Sequence, residues 1–249
     1  MIRGLYISAS GMSTQLKRQE VISNNLANID TPGFKKDSLV SSSFSNILVS
    51  RLDDPQDRDL RPSLGNFSLE SFPQEVFTDF SQGKLIYTGR DLDFSLQGKG
   101  FFVVDTPWGR RYTRAGDFVV SPQGILITTE GYPVLGENGP MEVGEKEFYF
   151  TQQGELVVEK EIVNKFLVVD IPYKELSKEG DTLFKAREDV VNPLSSYTLL
   201  QGFLESSNVN VVKEMVDMIS GLRLYEANQR AILMQDGSLD RLINEALRG

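Results

Sequence analysis

Apolar positions near the C-terminus recur in steps of four and three. Val211, Met215, Met218, Leu222, Tyr225, Gln229, Ile232, Asp236, Leu239, Ile243 and Ala246 fall on that spacing, the a/d seam of a coiled coil, and only Gln229 and Asp236 interrupt it. The stripe predicts one helix over residues 208–249, roughly 50 Å long at about 1.5 Å per residue. A helix buried in a globular core carries a wider apolar face, so part of this seam needs a partner helix. Leu5, Ala9, Met12, Leu16, Gln19, Ser23 and Leu26 repeat the spacing near the N-terminus, with Ile22 and Ile29 beside the lower half. Such helices pair either with each other, if the middle brings its ends together, or with copies in neighbouring subunits. Both routes describe a protein of assemblies.

The first helix is expected to start between Arg3 and Leu5 and stop close to Asn28. Pro32 biases Thr31 away from the α region, Gly33 tolerates positive φ, and Asn and Asp favour caps and turns. Asn24, Asn25 and Asn28 also offer amides for contact with a neighbour. From Lys36 to Gln74 periodicity is lost; Ser41–Ser43 and Arg51 to Pro62 read as loop or extended chain.

From Glu75 to Pro193 the pattern changes to short strands. Phe101–Asp105 and Arg110–Thr113 flank the turn Thr106-Pro107-Trp108-Gly109, and Phe118–Val120 and Ile125–Thr128 flank Ser121-Pro122-Gln123-Gly124. Further runs lie at Tyr132–Leu135, Glu147–Thr151, Leu156–Val158 and Ile162–Asp170. Many short strands at short spacing predict an antiparallel barrel or sandwich-like domain. The expected class is therefore α+β. Long N- and C-terminal helices form a coiled-coil-like α domain (1–35 and 208–249), with a connector (36–74), a central all-β domain (75–193) and a return connector (194–207).

Composition removes several kinds of chemistry. The 249 residues include no Cys and no His, which excludes disulfides, thiolate metal sites, His-based metal hydrolysis and Ser-His-Asp catalysis. A formal charge of −9 without a Lys/Arg block argues against nucleic acid and against an acidic partner. The opening residues lack a secretory apolar run, and nowhere do eighteen apolar residues follow one another, so neither a secretory leader nor a transmembrane segment is expected.

Ser8-Ala9-Ser10-Gly11-Met12 and the run from Ile22 through Asn24, Asn25, Leu26, Asn28, Pro32, Gly33 and Phe34 to Lys35 closely resemble the N-terminal signature of the bacterial flagellar rod and hook family. Ser207 to Ile219 and Leu224 to Gln229 resemble its closing signature. The middle is similar too, at Thr88–Phe94, Gly98–Phe102, Tyr112–Phe118 and Gly131–Gly136. The compact length resembles a rod subunit more than a hook subunit with its extra outer domain. Asp105-Thr106-Pro107 and Gly136 to Pro140 tilt the resemblance toward a proximal-rod type over a distal-rod type.

That resemblance implies a structural subunit of the basal-body rod, which self-assembles through its terminal helices into the axial drive shaft. Partners would be copies of itself, neighbouring rod and hook proteins, and the flagellar type III export apparatus, at the basal body in the cell envelope. No cofactor is implied. The assembly interface would run over Leu5, Ala9, Met12, Leu16, Leu26, Asn24, Asn25, Asn28, Pro32, Gly33 and Phe34, and over Val211, Met215, Met218, Leu222, Tyr225, Ile232, Leu239 and Ile243. A hook-type or other secreted filament protein is the alternative.

Enzymatic readings find little footing. Gly98-Lys99-Gly100 lacks P-loop spacing and reads as a tight turn. Asp91 and Asp93 stand two apart on a strand, which does not create the opposed carboxylates of a glycan hydrolase. Met12, Met215 and Met218 read as seam fillers, and Arg223, Glu226 and Arg230 as an ion-pair face. Trp108 reads as a partly exposed ring capping its hairpin, with a subunit contact as its second reading.

Overall fold

The structure, a computed structural model, describes residues 2–43, 47–50, 63–67, 71–144, 148–159, 161–194 and 196–246. The chain divides into two compact units. One combines Met1–Asn25, Asp37–Phe77 and Val211–Gly249; the other combines Leu26–Lys36 with Thr78–Asn210.

The first unit is built on two helices, α1 (Ile2–Ala27) and α2 (Val211–Ala246). Neither contains proline, and Glu214 in the first turn of α2 suits the positive end of the helix dipole. Within this unit the helices face each other in antiparallel sense. A Cβ on Gly4 would lie 2.5 Å from Gln235 Nε2, one on Gly11 3.0 Å from Asn228 Nδ2, and one on Gly221 3.6 Å from Gln15 Oε1. Asn25 Nδ2 donates to Glu214 Oε2 at 3.3 Å at the other end.

The face that α1 turns inward differs by one residue from the apolar seam. Ser8, Ile22 and Asn25 are buried, whereas Ala9, Leu16 and Ser23 are exposed. Glycine and serine allow close approach of backbones, and the inward face carries Gly4, Ser8, Gly11 and Asn25 with Ile22 buried as well, while Leu16 stays exposed. On α2, Met218, Tyr225, Ile232 and Leu239 are partly covered, while Val211, Met215, Leu222 and Ile243 are exposed.

The stretch expected as a connector carries strands. Asp37–Ser43 pairs with Ser71–Thr78, and Ile47–Ser50 pairs antiparallel with Ser63–Phe67. These pairings are backbone ladders between distant segments, which side-chain alternation does not announce. Arg51 to Pro62 lies outside the described residues.

The second unit is a set of antiparallel sheets. Among the described residues the largest has six strands, in the order Ser177–Glu179, Leu183–Lys185, Gly109–Thr113, Phe101–Thr106, Val168–Asp170 and Asn192–Pro193. Both predicted hairpins are present: Phe102 pairs with Thr113 around the Pro107-Trp108 turn, and Val120 pairs with Leu126. Phe148–Phe150, Glu155–Val158 and Glu161–Lys165 form a three-stranded sheet. The expected return connector belongs to this unit as well, since Thr198–Gln201 pairs with Phe94–Gln97 and Phe203–Glu205 with Leu85–Tyr87.

Phenylalanines fill the core. Phe94, Phe102, Phe118, Phe150 and Phe166 pack with Leu126, Met141 and Leu156 on one side of the main sheet strands. The Phe94 and Phe150 rings meet edge to face at 4.7 Å. Phe101, Val103, Tyr112, Val169 and Phe184 form a second cluster. Alternate residues of the Phe101–Thr106 strand thus serve different cores, so it is buried on both faces.

Candidate assembly site

Residues 26–36 and 205–210 fold together inside the second unit. Gly33 has φ 70°, a left-handed conformation that favours glycine. Its N–H donates to the Glu205 carbonyl at 2.7 Å, and a Cβ there would lie 2.3 Å from Ala115 N. Phe34 beside it is fully buried. The Lys178 ammonium sits 3.9 Å from the centre of its ring and donates to the Lys35 carbonyl at 3.0 Å.

Lys35 then enters an ionic cluster. Its ammonium pairs with Glu205 and donates to the Ser81 carbonyl at 2.8 Å. Glu205 also accepts from Gly83 N–H at 2.9 Å and from Arg114 Nη1 at 3.3 Å. Arg114 Nη2 donates to the Gly98 carbonyl at 2.6 Å, and the guanidinium lies over the Phe101 ring. The three charged side chains are between 1 and 4% exposed. Burial pushes the Lys35 and Arg114 pKa values down, and the Glu205 charge opposes it in both. Two cations thus share one carboxylate.

Asn208 closes the same node from the C-terminal side. Its Oδ1 accepts from Lys36 N–H at 2.8 Å, and its Nδ2 donates to the Asp79 carbonyl at 2.8 Å. Within the helical unit Asn25 plays a matching part. It exchanges hydrogen bonds with Asp37, Oδ1 accepting from N–H at 2.9 Å and Nδ2 donating to the carbonyl at 2.8 Å. Asn25 and Glu214 are both buried.

The predicted site residues therefore divide. Asn25, Gly33 and Phe34 are buried and contact other parts of their own units; Leu5, Met12, Leu26, Asn28 and Pro32 are half-buried. Asn24, Ala9 and Leu16 on α1, and Val211, Met215, Leu222 and Ile243 on α2, face outward. The structure adds Val212, Val216, Ile219, Leu224, Leu233 and Met234 to that outward set, all at least half exposed. The predicted seam passed over them because they lie beside it: Val212, Val216 and Ile219 each stand one residue from a seam position. Inside the seam, Oε1 of Gln15 and of Gln235 are buried without a hydrogen-bond partner. The sequence reading also missed Lys35, Arg114 and Glu205; no local pattern marks a cluster whose members lie so far apart in the chain.

Asn28, Thr31 and Pro32 border a cavity of about 140 Å³ that Asp117, Glu130 and Asp181 also line. Burial raises the Asp117 carboxyl pKa above its ordinary 3.8, and the Asp93 charge adds to it. A folded-state pKa raised in this way favours folding below about pH 3.8, and the contribution is lost as pH rises through the folded value. Asp117→Asn is therefore expected to stabilise the chain at pH 7. Paired melts of parent and variant should show that gain at pH 7 and its disappearance near pH 3.5.

Three family models match the chain. One described as "Flagella basal body rod protein" covers residues 5–35, one described as "Flagellar hook protein FlgE/F/G D1 domain" covers 95–163, and one described as "Flagellar basal body rod FlgEFG protein C-terminal" covers 200–245. The flagellar basal-body rod protein FlgG of Buchnera aphidicola subsp. Schizaphis graminum is 33% identical over 97% of this chain and 99% of its own length. The Bacillus subtilis protein of the same name is 30% identical over 98% and 99%. Rod protein FlgF of Caulobacter vibrioides is 31% identical over 91% of each. The matched segments contain both terminal signatures and the node that joins them, and the similarity runs nearly end to end. The chain belongs to the flagellar basal-body rod protein family.

Proposed function

We propose that this chain is a structural subunit of the flagellar basal-body rod, joining copies of itself and neighbouring rod or hook proteins into an axial shaft. The observation that carries the reading is the outward apolar band of α2, where Val212, Val216 and Ile219 are 73, 56 and 53% exposed. These residues stand four and three apart and form one stripe on the helix. A soluble monomer rarely leaves such a stripe bare.

Neighbouring helices would cover it in coiled-coil fashion, with Leu5, Ala9, Met12, Leu16, Val211, Met215, Met218, Leu222, Tyr225, Ile232, Leu239 and Ile243 contributing to the contacts. Asn24, Asn28 and Pro32 would present the signature loop to the next subunit, while Asn25, Gly33 and Phe34 shape that loop from within. Head-to-tail contacts that do not close a ring give a helical stack, which transmits torque through packed helices. The work asked of the protein is mechanical rather than catalytic. Export would use the flagellar type III apparatus, and the site of action is the basal body. Relatives named FlgG and FlgF match at similar identity.

Removal of α2 tests the reading. The full chain is expected to form sedimenting assemblies, and a chain ending at Asn210 to stay dispersed with its β unit folded. Full assembly without α2 would overturn it.

A further inference from the structure

The single tryptophan stands beside a cleft that the helical contacts leave unused. Trp108 lies at the tip of the Phe101–Thr113 hairpin, 69% exposed. It borders a cleft of about 700 Å³, within the usual range for ligand-binding clefts. The tip is firmly built. Thr106 Oγ1 donates to the Gly109 carbonyl at 2.6 Å. Arg111 Nη1 donates to the carbonyls of Trp108 and Arg110 at 3.1 and 3.0 Å, and its Nε donates to Glu179. Since Arg111 is buried, this brace holds the indole outward by a fixed turn.

The charge of the cleft opposes that of the whole chain. Arg110, Arg111, Lys185 and Arg187 line it against Glu175 and Asp189. Asp189 is taken by Arg187 in a bidentate pair at 3.1 and 2.6 Å, and Glu179 by Arg111. Arg110 and Lys185 stand exposed at the mouth. With Glu175 counted, the cleft keeps a small positive excess on a chain of formal charge −9.

We propose that this cleft docks an acidic, extended segment of a neighbouring copy of the same chain. Trp108 covers the apolar part of that segment, and Arg110 and Lys185 meet its carboxylates. Tryptophan and arginine are the side chains most often dominant in protein contacts, and copies bearing a net charge of −9 supply the complementary sign. The inference rests on the rod-subunit reading and adds a side contact from the β unit, local enough to escape the chain's overall repulsion.

Trp108 is also the only tryptophan, so its emission reports this cleft alone. Full-length protein is taken through its assembly range while iodide quenching and emission wavelength are followed alongside sedimentation. The expected result is a blue shift and loss of quenching in the assembled fraction. Arg110→Glu with Lys185→Glu should weaken association about tenfold and abolish the shift. Both side chains are exposed, so the fold should tolerate the change, which a parent-like melt verifies. Poly-glutamate and chondroitin sulfate are then added to dispersed protein as probes. A shift with poly-glutamate supports the proposal, whereas a shift with chondroitin sulfate alone overturns it in favour of an anionic glycan. Assemblies in which Trp108 stays as quenchable as in dispersed protein overturn this contact and leave the rod reading intact. Failure of the full chain to assemble at all overturns both.

Discussion

A chain ending at Asn210 is expected to lose at least about a thousandfold in self-association. The loss follows from surface. Val212, Met215, Val216, Ile219, Leu224, Leu233, Met234 and Ile243 are each at least half exposed on α2. Covering such a side chain completely is worth about 1.5–3 kcal/mol, so each has roughly 1 kcal/mol still to gain. Covering several of them in a neighbour's groove yields enough to exceed the cost of association, and losing about 4 kcal/mol of it corresponds to three decades in affinity. The β unit should keep its melt, because both of its apolar clusters are formed by residues between Phe80 and Leu199. A subtler variant separates loss of the helix from loss of its outward face. Val216→Glu with Ile219→Glu leaves helix content unchanged by circular dichroism and should still reduce assembly by one to two decades, about 2 kcal/mol. Parent-like assembly by that double variant would show that the exposed stripe is not the contact.

The second large effect lies at the Lys35–Glu205–Arg114 cluster. Glu205→Gln is expected to destabilise the β unit by about 3–5 kcal/mol, the usual consequence of leaving buried charge without its partner. It would leave two cations facing each other, each almost inaccessible to water. In a unit of this size the loss corresponds to a fall in melting temperature of roughly 8–15 °C. Lys35→Met added to Glu205→Gln removes one charge of each sign, so the pair should cost less than the sum of its parts by at least about 1 kcal/mol. Thermal melts of the four chains decide it. A single variant melting within about 2 °C of the parent would mean that the cluster contributes little.

How far these features could be read from the sequence depended on their range along the chain. Both central hairpins were legible because Pro107-Trp108-Gly109 and Ser121 to Gly124 declare their turns locally. The helices were legible for the same reason: a long periodic run needs no distant partner to be recognised. Pairings across long separations were not. Leu85–Tyr87 has no signal that it will meet Phe203–Glu205, and Lys35 lies 170 residues from Glu205. The face that α1 turns toward α2 stands one residue off its apolar seam for a different physical reason. Hydrophobic spacing marks the side chains that seek cover, while Gly4, Ser8 and Gly11 mark where another helix can come close. The two faces differ in this protein, and that difference leaves apolar side chains exposed.

Hydrogen exchange along Val211–Ala246, compared between dispersed and sedimented full-length chain, tests the central idea most directly. In dispersed protein, α2 amides should exchange much faster than those of the Phe101–Thr113 hairpin, since a helix with so many exposed side chains opens readily. On assembly their protection should rise at least about a hundredfold, with the hairpin strands little changed. If α2 is already as protected as the hairpin in the lone molecule, and gains nothing on assembly, the helix is complete without neighbours and the account fails.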